Sequence, residues 1–254
     1  MNKLAWVMGV TGMATLLTAL SSIQAQAASF SEVGDAGQTP STAQVITPAQ
    51  LSGAGSSLDS IAGTLTGSGD FADLFQIFLT GGQTFSAGTA NAATDQAFQD
   101  EQFGIPPTVL LDPQLFLFDA TGRGVYANDD SFGSLQAALL SGQPFSPQQS
   151  GTYFLAIASS DYNPVTAGGQ PIFDALSTTN VGPNTQLPLS TFSGTGSDTG
   201  TYTIALSGAT AVPQPVPSPS STLGLVVLGA LGAASGLKYK KSKLKLVSTR
   251  TDSK

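Results

Sequence analysis

Short runs in which apolar and polar residues alternate recur through the middle of the chain. The clearest run places five residues on one phase: Phe71, Asp73, Phe75, Ile77 and Leu79. Successive side chains of a β-strand point to opposite faces, so a period of two predicts half-buried strands. Between residues 28 and 210 no long run has the 3.6-residue period of a helix, and the pattern therefore predicts an all-β domain.

Residues that favour turns separate these runs. Gly81-Gly82 and Gly122 each follow an alternating segment and predict reversals of the chain. Residues 151–157 (GTYFLAI) are echoed by residues 200–206 (GTYTIAL). The echo predicts two strands of one sandwich, each with its tyrosine ring in the core and its hydroxyl near the rim. Residues 89–107 and 163–192 lack strand character and are predicted to be polar insertions at one end of the sheets.

The first 27 residues have the three parts of a secretory signal. Lys3 supplies the positive charge, residues 4–20 are apolar, and Ala25-Gln26-Ala27 matches a cleavage site. We therefore expect residues 1–27 to form a signal helix, and the mature chain to begin near Ala28 and to be exported.

A second apolar segment lies near the other end of the chain. Residues 223–237 carry no charge, and a cluster of lysines follows from Lys238. With flanking residues the segment reaches the length of a bilayer span, because lysine stems can snorkel. The pattern predicts a single transmembrane helix over residues 223–239 and a basic cytoplasmic tail over residues 240–254. Residues 211–222 form a proline-rich linker that cannot join a sheet.

The order of proline box, apolar segment and basic tail resembles the PEP-CTERM sorting signal. The matching segments are residues 216–221 (VPSPSS), residues 223–225 (LGL) and residues 238–241 (KYKK). Ser218 stands where that family usually has glutamate. The resemblance implies that an exosortase cuts at the proline box and releases the protein to the outside of the cell.

Charge and composition limit the kinds of catalytic and metal site that the remaining domain can form. The chain has no histidine and no cysteine, which excludes a Ser-His-Asp or Cys-His nucleophile, a zinc site built on those residues, and disulfides. Fifteen acids lie between Glu32 and Asp198, against one internal cation, Arg123. Such a surface repels nucleic acid and anionic lipid and attracts divalent cations. The alternative is that the acids only keep an exported protein soluble.

Two acidic clusters are candidate calcium ligands. The first is Asp70 with Asp73 at the entrance to a predicted strand, and the second is Asn128, Asp129 and Asp130 in a predicted turn. Calcium binds six to eight oxygens, often from several carboxylates. If both loops lie at the same end of the sheets, their carboxylates would surround one ion. The alternative is that these residues build turns and face water.

Several motifs, taken in order, resemble the bacterial pre-peptidase C-terminal (PPC) domain. They are residues 32–35 (EVGD), 61–65 (IAGTL), 70–77 (DFADLFQI), 112–119 (DPQLFLFD), 126–131 (YANDDS), 151–157 (GTYFLAI) and 161–162 (DY). The resemblance implies a jelly-roll-like β-sandwich that serves as a non-catalytic accessory or binding module. In some members of that family calcium is bound at acidic loops, which adds Glu32 and Asp35 to the candidate ligands.

Enzymatic alternatives rest on carboxylates alone. Asp198-Thr199-Gly200 spells the D-T-G of aspartic proteases, but no second copy exists in the chain, and that chemistry needs two aspartates that share a proton. A glycosidase would use two carboxyls, yet the only tryptophan is Trp6 in the signal segment.

We therefore predict a non-catalytic, exported protein of the cell envelope or extracellular matrix, stabilised by calcium. Its expected partners are an exosortase, the membrane through the C-terminal helix, and exopolysaccharide or another envelope component, but not nucleic acid. The alternatives are an extracellular carbohydrate-binding module and a carboxylate-dependent hydrolase.

Overall fold

The computed structural model describes residues 27–90 and 108–215, except residues 132, 141, 143, 175 and 177. The predicted transmembrane helix and basic tail lie outside these residues, as do residues 1–26 of the predicted signal, residues 216–222 of the linker and most of the first predicted insertion. Within the described part of the chain, no helix is long and apolar enough to cross a membrane. The compact unit that contains all the strands ends at Val212.

The described residues form thirteen strands and one 3-10 helix, Pro48–Gln50. The strands of the first sheet, in spatial order, are β1 (Ser29–Ser31), β3 (Ser60–Leu65), β12 (Gly200–Ser207), β5 (Ser86–Gly88) and β8 (Ala138–Leu139). The pair β1 and β3 is parallel, and the other pairs of this sheet are antiparallel.

The second sheet is built around the most apolar strands of the chain. Its strands, in spatial order, are β13 (Ala209–Thr210), β4 (Ala72–Leu79), β9 (Gly151–Ser159), β6 (Pro113–Asp119) and β7 (Gly124–Asn128), and β2 (Gln44–Val45) pairs in parallel with β4. A separate hairpin joins β10 (Tyr162–Val165) to β11 (Thr191–Gly194). The predicted all-β class is confirmed at this level, as two mixed sheets and a hairpin.

The two sheets share one apolar core. Phe75 and Ile77 of β4 lie in it with Ile61 and Ile204 of the first sheet, and all four are fully buried. The predicted alternation is therefore the real phase of β4 from Asp73 to Leu79, whereas Phe71 precedes the strand and its ring lies 5.5 Å from that of Tyr162. Asp73 lies on the same face of β4 as Phe75, Ile77 and Leu79, and it is the polar residue in this otherwise apolar row.

A second apolar cluster lies on the outer face of the second sheet. Leu74, Phe116 and Phe154 point there from β4, β6 and β9, and Phe173 and Phe192 cover them. Residues 163–192 therefore differ from the polar insertion that was expected, because several of their apolar side chains are buried over this face. The physical reason is that both faces of β6 and β9 are apolar, so both faces must be packed against other apolar side chains.

The two echoed segments form β9 and β12, which lie in different sheets. Both tyrosine rings, Tyr153 and Tyr202, are buried in the core between the sheets, as the echo predicted. The Tyr153 hydroxyl donates to the backbone oxygen of Gln149 at 2.8 Å. The Tyr202 hydroxyl differs from the expectation because it is buried and donates to another side chain, as described below.

Candidate cation sites

Two groups of carboxylates lie at one end of the second sheet. The register across the sheet places Asp73, Ile157, Leu115 and Asn128 in one row. Three strand spacings of about 4.8 Å separate the ends of that row by roughly 14 Å. The two groups of carboxylates are therefore separate, and each is a candidate cation site of its own.

The first acidic site consists of Glu32, Asp35, Asp70 and Asp73. Carboxylate oxygens of Glu32, Asp35 and Asp73 lie within 4.8 Å of one another. The negative charge of Asp70 raises the pKa of both Glu32 and Asp73. Two segments of chain, residues 32–35 and 70–73, therefore meet here, and the two predicted ligands Asp70 and Asp73 lie with the two that the family resemblance added.

Glu32 extends the parallel pairing of β1 with β3, since its N–H donates to the oxygen of Ala62 at 2.8 Å. Its side chain then connects the loop after β1 to strand β3: Oε1 accepts from the N–H of Ala36 at 2.9 Å, and Oε2 accepts from the N–H of Thr64 at 3.0 Å. These bonds fix the carboxylate beside β3, because both donors belong to backbone.

Asp35 and Asp70 are each held by their own turns. Asp35 Oδ1 accepts from the N–H of Gly37 at 2.6 Å. Asp70 Oδ2 accepts from the N–H and the hydroxyl of Thr66, at 2.9 and 2.7 Å. Asp70 Oδ1 is buried, and no described residue donates a hydrogen bond to it.

Asp73 is the most buried member of the first acidic site. Its side chain is 0 % exposed, and its Oδ2 accepts from the Tyr202 hydroxyl at 2.5 Å. Its Oδ1 receives no hydrogen bond from any residue that the structure describes. A buried carboxylate oxygen without a donor is costly, and a cation or a proton would relieve that cost.

Burial, with further contributions from the charges of Glu32, Asp70 and Asp35, raises the pKa of Asp73 to about 8 against the opposing effect of the Tyr202 hydrogen bond. Burial also raises the pKa of Glu32. Without an ion, Asp73 is therefore protonated at neutral pH and can share its proton with Glu32. A cation that binds at the site would therefore compete with this proton.

A cleft of about 640 Å³ opens beside the first acidic site. Glu32, Asp35 and Asp70 line one part of it, and Thr64 and Thr201 line another. The volume lies within the range of small-molecule sites, and its walls offer hydroxyls and carboxylates.

The second acidic site consists of Asp112, Asp129 and Asp130, whose oxygens also lie within 4.8 Å of one another. Asp112 directly precedes β6 and Asp129 directly follows β7. Asn128, the other predicted ligand of this loop, is turned elsewhere: its Oδ1 accepts from the N–H of Ala138 at 2.7 Å. Asp112, which was not among the predicted ligands, therefore joins Asp129 and Asp130 in this group.

Burial, together with the charges of Asp112 and Asp130, raises the pKa of Asp129 to about 6. Burial also raises the pKa of Asp112, to which the charges of Asp198 and Asp130 contribute. Asp198 of the D-T-G sequence is therefore a neighbour of this site. Its N–H donates to the Ser159 hydroxyl at 2.8 Å.

Arg123 is the one lysine or arginine among the described residues, and it lies far from both sites. It precedes β7 whereas Asp129 follows it, so five strand residues, roughly 17 Å, lie between them. Its Nε donates to the backbone oxygen of Gln186 at 2.9 Å.

Two residues of these sites were missed as functional residues by sequence reasoning. Asp112 was noted only as part of a strand motif, and Tyr202 only as a core ring. For Asp112 a signal was present, since the start of one antiparallel strand lies beside the end of the next. For Tyr202 the sequence holds no such signal, because its partner Asp73 belongs to the other sheet.

In comparisons with known proteins, the chain matches no protein-family model, and no curated protein matches it.

Proposed function

We propose that the chain is an exported, non-catalytic protein of the cell envelope or extracellular matrix, whose jelly-roll-like β-sandwich is stabilised by calcium at the first acidic site. The observation that carries the proposal is Asp73, a fully buried carboxylate with an oxygen that no described residue satisfies. It lies with Asp70 of its own segment and with Glu32 and Asp35 of a second segment. Bound calcium would neutralise them and tie those segments together.

The ligand chemistry supports calcium over transition metals. The chain has no histidine or cysteine, so every side-chain ligand is an oxygen, and hard cations prefer oxygen. Export would place the domain where calcium is abundant enough for sites of modest affinity, which in extracellular modules bind at roughly 10⁻⁴ to 10⁻³ M.

Thermal unfolding of the purified full chain tests this proposal. At a hundredfold excess over the Kd, calcium adds about 2.7 kcal/mol to the free energy of unfolding, which raises the Tm of a domain of this size by about 5–10 °C. Asp73→Asn should remove most of that increase, whereas Asp174→Asn, an acid outside both sites, should keep it. A melting curve that is unchanged between EDTA and calcium would overturn the proposal.

The termini support the export and sorting parts of the proposal. The signal segment, the apolar segment 223–239 and the lysines after it predict an outward-facing domain with a cytoplasmic tail. We propose that an exosortase processes the precursor at the proline box. Protease added to intact spheroplasts should digest the acidic domain, and protection of the domain would contradict export.

A carbohydrate-binding role is the second candidate, and the cleft beside the first acidic site favours it. The threonines and carboxylates that line the cleft offer hydrogen-bond partners to the hydroxyls of a sugar, and exopolysaccharide is the expected class of ligand. A glycan array with the full chain, read in calcium and in EDTA, separates this role from a purely structural one. Binding that depends on calcium and is lost in Thr201→Val would support it.

A further inference from the structure

We propose that Asp112, Asp129 and Asp130, together with Gln114, form a second hard-cation site that fills independently of the first acidic site. This inference goes beyond the proposed function, because nothing in that function requires a second ion. It rests on the arrangement of oxygens around the start of β6 and the end of β7.

Two carboxylates of this site each have an oxygen that accepts no hydrogen bond from a described residue. Asp129 Oδ1 and Asp130 Oδ1 are both buried, and within the described ranges no group donates to either. Asp112 completes the group within 4.8 Å. Two ligands on opposite sides of a calcium ion are separated by about twice 2.4 Å, or about 4.8 Å, so one ion fits between these oxygens.

Gln114 is an independent indication of a ligand at the same place. Its side chain is 3 % exposed, and donation from its amide N–H lowers the pKa of Asp129, which places the amide beside that carboxylate. Nε2 also donates, at 3.5 Å, to Asn163 Oδ1, whereas Oε1 is buried and has no donor among the residues described. A neutral carbonyl oxygen buried beside carboxylates is the kind of ligand that completes a calcium shell.

Among the described residues, no lysine or arginine lies close enough to offset this charge. Arg123 lies at the other end of the hairpin β6–β7, and the other lysines and arginines of the chain precede residue 28 or follow residue 237. Asp161 and Asp198 add negative charge nearby. Repulsion among these carboxylates is therefore relieved by a cation, by solvent or by protons.

The site would fasten one end of the second sheet. Asp112 directly precedes β6, while Asp129 and Asp130 are the first residues of the segment between β7 and β8. An ion here would tie this segment to the central strands, about 14 Å across the sheet from the first acidic site. At that distance the two ions share no ligand, which is why the sites should fill independently.

Equilibrium dialysis of the purified full chain against radioactive calcium counts the bound ions directly. The double variant Asp112→Asn with Asp129→Asn should bind fewer calcium ions than the wild type and still gain stability from calcium through the first acidic site. Asp73→Asn should show the converse loss. Asp174→Asn, whose carboxylate accepts from Asn184 at 2.6 Å outside both sites, serves as the matched control.

The two proposals fail separately in this experiment. If the double variant binds as much calcium as the wild type, the second site does not exist, whatever Asp73→Asn does. Loss only in Asp73→Asn thus overturns the second site, and loss only in the double variant overturns the first. Circular dichroism checks the fold. If the double variant does not fold, Asp130→Asn replaces it, and full wild-type calcium binding by that variant overturns the inference.

Discussion

The hydroxyl of Tyr202 donates to Oδ2 of Asp73 at 2.5 Å, and this bond connects the two sheets through the core. It occupies one oxygen of a carboxylate whose other oxygen has no donor among the described residues. The bond therefore orients Asp73 so that its remaining oxygen is available to an ion. The behaviour of the first acidic site should depend on both residues.

Removal of the Tyr202 hydroxyl should destabilise the protein and weaken the effect of calcium. Tyr202→Phe leaves a buried carboxyl oxygen without its donor, which costs about 1–3 kcal/mol. The matched control is Tyr153→Phe at the echoed position, where the hydroxyl meets a partly exposed backbone oxygen that water can reach. Thermal melts in EDTA and in calcium should show the larger losses for Tyr202→Phe. Equal losses in both variants would contradict a special role for Tyr202.

The stability of the metal-free protein should fall as the pH rises from about 4 to about 8. The pKa of Asp73 is raised to about 8 in the folded state, and in the unfolded chain it returns to about 3.9. The folded state thus binds more protons in this window, so the stability is fully present below the lower pKa and is lost as the pH passes the higher one. Glu32 shifts in the same direction.

Melting temperatures in EDTA across this window measure the effect. Asp73→Asn removes the titrating group but keeps an acceptor for Tyr202, so its Tm should depend less on pH and exceed that of the wild type at about pH 9. With calcium present the trend should reverse, because protons compete with the ion for the same oxygens. A wild-type Tm in EDTA that rises toward pH 8 would show that Asp73 is not protonated in the fold.

An alanine at Gly63 should impair the first acidic site. A Cβ at this residue of β3 would collide with the Tyr202 hydroxyl and with Glu32 Oε2, so Gly63→Ala displaces both side chains. Gly151→Ala is the matched control, since Gly151 also lies in a strand and its Cβ would meet nothing within 4 Å. We expect the calcium-induced increase in Tm to shrink in Gly63→Ala alone. If both variants respond like the wild type, the collision has no effect on the site.

The buried side chains of the segment 163–192 should contribute to the free energy of unfolding as core residues do. Phe173 is 5 % exposed, and its ring lies 5.7 Å from that of Phe116 and 5.8 Å from that of Phe118. Phe173→Ala should therefore lower the free energy of unfolding by about 3–5 kcal/mol. Leu187→Ala, at a residue of the same segment that is 51 % exposed, should change it by no more than about 0.5 kcal/mol. Urea titrations measure both, and similar small effects would mean that the segment does not stabilise the sheet.

The sequence by itself determined the class of the fold and the kind of chemistry available. Alternation with period two was enough to locate β4, because the side chains of a strand take opposite faces. The absence of histidine and cysteine left only oxygen ligands. Asp70, Asp73 and Asp129 were recognisable as candidate ligands because acids crowd at strand ends, and these observations need no knowledge of long-range pairing.

The tertiary structure decided which of these acids meet. Pairing across four strands places Asp73 and Asn128 in one row but about 14 Å apart. The acids therefore form two separate groups, rather than the one shared group that was expected if both loops met. The contact of Tyr202 with Asp73 joins residues 129 positions apart, and the cover over Phe116 comes from a segment without an evident strand pattern. Such contacts depend on how the sheets stack and on which faces remain to be buried, and local periodicity carries no information about either.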